Sequence, residues 1–193
     1  MPNIEYAGWA SVLVSVIAFG AVVVEYRRQT RRHRLEIAQN LIEQLDEDDM
    51  LRFAVTTLDW GAGLVIIPES WRSVIDKPSV EFQLDVILDA LRPELTSVTA
   101  RDPLHLLYRH SFVRLFNHLE RISVLLESGA VDVNDLQPIA FVAHQLLQWS
   151  YASVEKGDEI FREAMKRWYP DDAPNRVVTL ISKRFPQADA QHQ

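Results

Sequence analysis

YAGWASVLVSVIAFGAVVV, residues 6–24, carries no charge and is followed by Glu25, Tyr26 and five arginines, Arg27, Arg28, Arg31, Arg32 and Arg34. Nineteen residues at helical rise cover about 28 Å, close to the roughly 30 Å hydrocarbon thickness of a bilayer. Val12, Leu13, Val14, Val16, Ile17, Phe19, Val22, Val23 and Val24 together favour insertion by about 4 kcal/mol. Tyr6, Trp9 and Tyr26 suit headgroup depth, where an amphipathic ring keeps one end dry and the other wet. The positive charge follows the apolar run, whereas a cleaved signal peptide carries it before. The reading is a single transmembrane helix with a basic juxtamembrane collar, residues 1–34. The positive-inside rule then places the N-terminus outside the inner membrane and residues 27–193 in the cytoplasm. In the collar, Arg27, Arg28, Arg31, Arg32 and Arg34 are expected to set topology and meet lipid headgroups.

One face of the span is built of small residues. Ala7, Ser11 and Ser15 recur every four positions, with Gly8 and Ala18 beside them. Small side chains let helix backbones approach closely, and serines can hydrogen-bond across the contact. This face is the candidate for helix packing between copies in the membrane.

The remaining chain, 35–186, is long enough for one domain with a real core. It contains no cysteine, which removes disulfides, thiolate metal sites and cysteine nucleophiles. Residues 35–193 carry 15 Lys and Arg against 25 Asp and Glu. That acidic balance disfavours a nucleic-acid surface, because it repels phosphate backbones.

Helical spacing continues beyond the span. Leu35, Ala38, Leu41, Ile42 and Leu45 form one face with no Gly or Pro between residues 21 and 45. Asp46–Asp49 are expected to end this helix or open the next, lacking the Gly turn and terminal Glu of a calcium loop. A second helix is predicted from Asp49 to Trp60, stopped by Gly61 and Gly63. Leu64–Ile67 reads as a short strand or a loop, with a core-packed loop preferred, followed by a helical turn to Ile75. A helix with Val80, Leu84, Ile87, Leu88 and Leu91 inward is predicted from Ser79 to Leu91, ended by Pro93. The clearest element lies between Asp102, a candidate N-cap, and Gly129, a candidate C-terminal stop. Within it Leu104, Tyr108, Phe112, Leu115, Leu119, Ile122 and Leu126 step by three or four, and Pro103 suits the first turn. Asn134 is expected to cap the next helix, with Gln137 at the capping-box position. That helix is expected to run to about Val154 and on through Gly157 towards Trp168. A last helix opens at Pro174, and residues 187–193 are expected to be a disordered tail.

Candidate chemistry is sparse. His110, Arg114, His118 and Arg121 follow steps of four, four and three, giving a basic stripe on the central helix. Such a stripe either forms a functional surface or faces acids of a neighbouring helix. No HExxH or GxSxG pattern is present, and no metal or other cofactor is implied. A helical ribonuclease of the HEPN class would place four to six residues between an Arg and a His. Arg27 and Arg28 fit that spacing to His33, whereas Arg114 to His118 is one residue short.

The run Leu115, Phe116, Asn117, His118, Leu119, Glu120, Arg121 and Ile122, then Leu126, Gly129, Val131 and Asp132, resembles a bacterial family of domains of unknown function. Members of that family have an N-terminal single-pass anchor, a basic collar and an acidic helical domain. The likeness covers most of the chain in layout and about residues 108–150 in motif. It implies architecture and no catalytic residue. The layout is also similar, more distantly, to small membrane-anchored accessory proteins of bacterial phage defence, including CRISPR-associated ones that assemble as membrane pores. The expectation is an all-α chain: one N-terminal transmembrane helix continuing into a stalk, then a cytoplasmic bundle of five to seven helices. The expected role is a non-enzymatic interaction or scaffold protein at the bilayer. It would self-associate as a homo-oligomer or hold a cytoplasmic protein partner. The alternatives are an oligomeric membrane-permeabilising effector of phage defence and a membrane-tethered HEPN-like ribonuclease.

Overall fold

A computed structural model of the chain describes residues 3–59, 63–92, 101–148 and 157–186; for residues 3–14, 148 and 157–160 it gives the backbone course alone. The architecture is all-α. Eight helices are present among the described residues: α1 (Asn3–Glu47), α2 (Asp49–Asp59), α3 (Glu69–Ile75), α4 (Leu84–Ala90), α5 (Pro103–Glu127), α6 (Ala140–Gln148), α7 (Gly157–Trp168) and α8 (Ala173–Arg184). Two three-residue strands, β1 (Leu64–Ile66) and β2 (Ser79–Glu81), flank α3, and a 3₁₀ segment, Val133–Ile139, precedes α6.

The 45 residues of α1 form one helix from the apolar run into the bundle. From Ser15 to His33 its side chains are exposed except the half-buried Val23. Then Ala38, Leu41 and Leu45 enter the core at the predicted helical spacing. Among the described residues no helix is long and apolar enough to cross a membrane. The first half of the apolar run precedes the described side chains. Ala7, Gly8 and Ser11 therefore lie outside them, while Ser15 and Ala18 are exposed.

At the acidic run, α1 gives way to α2 at a single residue, Asp48. Its Oδ1 accepts from the N–H groups of Met50 and Leu51, capping the new helix. The core centres on α5, where Leu107, Tyr108, Phe112, Leu115, Phe116, Leu119 and Ile122 are completely buried. Phe112 meets Phe161 at 5.2 Å between ring centroids, and Phe116 meets Trp168 at 5.7 Å. These tilted contacts pin α7 to α5, each worth about 0.5–1.5 kcal/mol beyond the apolar burial. Both ends of α5 follow the expected chemistry. The Asp102 side chain accepts from Leu104 N–H at 2.9 Å, and Gly129 takes a positive φ of 71° beyond the last turn.

Three expectations are corrected. Ser79–Glu81 is strand, not helix. It pairs antiparallel with Leu64–Ile66, with Val65 opposite Val80, and α4 begins only at Leu84. Burial of Val65 and Val80 on one face outweighs the helical period that includes Val80. Leu64–Ile66 is correspondingly a strand and not a loop. After α5, the cap is Asp132 in place of Asn134. Asp132 and Asp135 bond reciprocally to each other's end of a capping box, and the turn that follows is 3₁₀. Pro138 has no N–H to give Asn134 C=O, so a regular helix starts only at Ala140. The connection predicted through Val154, the stops at Gly61 and Pro93, and the tail 187–193 lie outside the described residues.

Candidate functional site

The basic stripe on α5 faces the α1–α2 break rather than open solvent along its whole length. Arg114 Nη2 lies 2.5 Å from Asp48 Oδ2. One turn on, His118 is buried at 6% exposure, and Arg121 Nη1 donates to Gln44 Oε1 at 3.3 Å. His110, at the other end, is exposed and its ring lies 5.8 Å from that of Trp71 on α3. The helical period thus brings all four residues to one side of α5. The neighbouring elements then divide them into an ion pair, a buried ring, an amide contact and an aromatic contact.

His118 is the most unusual group here. Its Nε2 is buried without a hydrogen-bond partner among the described residues. Burial pushes its pKa down, and the nearby Arg121 cation adds to that; the Leu41 carbonyl and the Asp48 carboxylate oppose it. The ring is thereby favoured in its neutral form. With Arg114 tied to Asp48 and His118 facing the core, the two do not form a solvent-facing Arg–His pair. No three His, Asp or Glu side chains converge as a metal site among the described residues.

The collar is also divided. Arg27, Arg28, Arg31 and Arg32 are exposed on α1. Arg34 instead turns towards the domain, its Nη2 3.3 Å from Asp132 Oδ2 and 3.5 Å from Asp135 Oδ2. The last collar arginine is therefore a tether between stalk and bundle. Nothing in the local spacing of the arginines distinguishes it, because its partners lie about a hundred residues away.

Two features escaped the sequence reading. Arg109 Nη1 donates to the carbonyls of Ala90 at 3.2 Å and Arg92 at 2.7 Å, while its guanidinium lies 5.1 Å from the centre of the Trp168 ring. It closes the C-terminal end of α4 against α5 and α7. The other is a groove of about 330 Å³ between α2 and the β1–α3 segment, bordered by Phe53, Leu64, Ile66 and Pro68 with Arg52 and Arg72. The signal for it was the unbroken apolar run Leu64–Ile67, next to Gly63.

No family model, curated protein or solved structure matches this chain.

Proposed function

We propose that the chain is a membrane-anchored, non-enzymatic interaction module that self-associates, its N-terminal helix crossing the bilayer and its helical domain on the cytoplasmic side. The observation that carries this reading is the surface of α1. Val16, Ile17, Phe19, Val22 and Val24 are each more than half exposed on a helix that stands clear of the bundle. A contiguous apolar surface of that kind is unfavourable in water and needs a lipid or protein environment. The exposed arginines beginning at Arg27 mark where that environment would end. The same helix enters the core at Ala38, so an anchor would hold the domain through continuous backbone and not through a loose linker.

An interaction role is favoured over chemistry because four arginines of the stalk and bundle are taken up in structural contacts. Arg114, Arg121, Arg34 and Arg109 each engage a partner on another element.

Alkaline carbonate extraction of membranes from cells expressing the full chain tests the anchor. Wild type is expected in the pellet. A variant with Ile17→Lys and Phe19→Lys is expected in the supernatant, since each lysine near the centre of a span costs about 2.5–3.5 kcal/mol of insertion. Release of the wild type by carbonate would refute the reading.

A further inference from the structure

Among the described residues, strand β1 has a free edge. Val65 stands opposite Val80, Ile67 N–H donates to Pro78 C=O at 3.0 Å, and Phe82 N–H donates to Gly63 C=O at 2.9 Å. Residues 63, 65 and 67 therefore occupy the hydrogen-bonded positions of this antiparallel pair. The N–H and C=O groups of Leu64 and Ile66 accordingly point away from β2, off the open side of the strand. Neither residue's backbone bonds to other described backbone. Their side chains are 61% and 69% exposed, on the face opposite the buried Val65. Exposed strand edges are commonly blunted by charge or proline. Here both outward positions are apolar.

The geometry points to β1 as a contact between two copies of this chain, each strand extending the other's sheet with Leu64 opposite Ile66 of the second copy. An antiparallel pairing centred on Val65 makes both outward residues of each strand into hydrogen-bonded pairs. It yields four N–H···O bonds and sets Leu64 beside Ile66 twice. The segment is complementary to itself about a two-fold axis, so the contact closes as a dimer. The flanking groove carries two acids, Asp49 and Glu69, and two bases, Arg52 and Arg72. This balance raises no net like-charge barrier against a second copy.

A three-residue strand buries far less than the roughly 1,200 Å² of a stable free-standing interface. The contact therefore depends on the anchor, which confines copies to one plane and raises their effective concentration. In this respect it rests on the proposed membrane reading and names the surface through which self-association would occur.

The chain has no cysteine, so Leu64→Cys and Ile66→Cys each introduce a lone thiol. Differently tagged Leu64→Cys and Ile66→Cys chains would be co-expressed in full length and oxidised in the membrane. Paired 64 and 66 positions stand about 5.5 Å apart between Cα atoms, within disulfide reach, whereas like positions stand diagonally at about 7–8 Å. A mixed disulfide dimer about fivefold more abundant than either variant gives alone is expected from that difference. Membrane-retained chains that give no mixed dimer, or equal amounts of all pairings, would overturn the contact. So would capture of either thiol by a different protein in place of a second copy. If carbonate releases the chain, the anchor reading fails separately. The same oxidation of the purified full-length mixture at about 1 mM, the scale of a short-tether effective concentration, then decides the edge. A mixed dimer there supports the pairing, and its absence overturns it.

Discussion

Asp48 uses its two carboxylate oxygens for two different elements, and Arg114 is the partner of one of them, 2.5 Å away across the α1–α2 break. Oδ1 caps α2 through the N–H groups of Met50 and Leu51. The two roles are separable. Asp48→Asn keeps an acceptor for the cap and loses the ion pair, at an expected cost of about 0.5 kcal/mol because Arg114 is largely exposed. Asp48→Ala loses both, at about 1–2 kcal/mol. Arg114→Ala should resemble Asp48→Asn and not Asp48→Ala. Thermal unfolding of the full chain in detergent, followed by circular dichroism, checks the order. An Asn variant as unstable as the Ala variant would mean that the pair, not the cap, dominates.

His118 predicts a specific pH dependence. Burial holds its pKa below the ordinary 6.5 in the folded chain. Below that value the unfolded chain takes up a proton that the folded chain resists, so stability is full above about pH 6.5 and falls as the pH drops through the window beneath it. The stability of His118→Gln should change less between pH 6.5 and 5 than that of wild type. Urea unfolding at a series of pH values measures the two slopes, and identical slopes would show that the ring is not a source of the dependence.

How much of this was legible in the sequence depended on whether the deciding partner was local. The span of α5 could be read because Asp102, Pro103 and Gly129 act on their immediate neighbours and the apolar steps repeat for about six turns. The last helix, opening at Pro174, was legible for the same local reason, and Val177, Val178 and Ile181 are its buried face. Ser79–Glu81 was misread because its conformation is decided by Leu64–Ile66, thirteen or more residues back. The stripe at His110, Arg114, His118 and Arg121 was visible as a periodicity, but its chemistry was not. Which residue pairs and which is buried follows from the approach of Asp48 and Leu41, which no spacing on α5 encodes. Arg34 is the same case in the collar.

Gly129 offers a cleaner backbone test than any side chain in the bundle. A Cβ built there meets nothing within 4 Å, yet φ is +71°, so the cost of a side chain comes from the backbone alone. Gly129→Ala should destabilise by about 1 kcal/mol. Gly129→Asn should cost about half as much, because asparagine tolerates the left-handed region better. A difference between the two variants in equilibrium unfolding supports the conformational origin. Equal losses would point to a packing effect.

Arg34 should control how firmly the stalk is joined to the bundle. Its guanidinium reaches both Asp132 and Asp135, which also close the capping box ahead of the 3₁₀ segment. Both carboxylates are met by the one nitrogen Nη2, so Arg34→Lys can keep much of the contact, whereas Arg34→Ala removes it and should cost about 0.5–1 kcal/mol. Asp135→Ala also removes the acceptor for Asp132 N–H and should cost about 1–2 kcal/mol. Hydrogen bonding from Asn134 N–H, and then the nearby Arg34 and Arg184, hold the Asp132 carboxyl below its ordinary 3.8 despite some opposing desolvation. A depressed carboxylate stabilises the fold above the unfolded value, and that contribution is lost as the pH falls through the lower folded value. Asp132→Asn should therefore flatten the acid limb of the stability curve below about pH 4. Amide hydrogen exchange gives the spatial check. In Arg34→Ala, protection should fall in residues 34–41 and 133–136 together while α5 keeps its own. Exchange unchanged in both segments would show that burial of Ala38 and Leu41, and not the ion pairs, fixes the stalk.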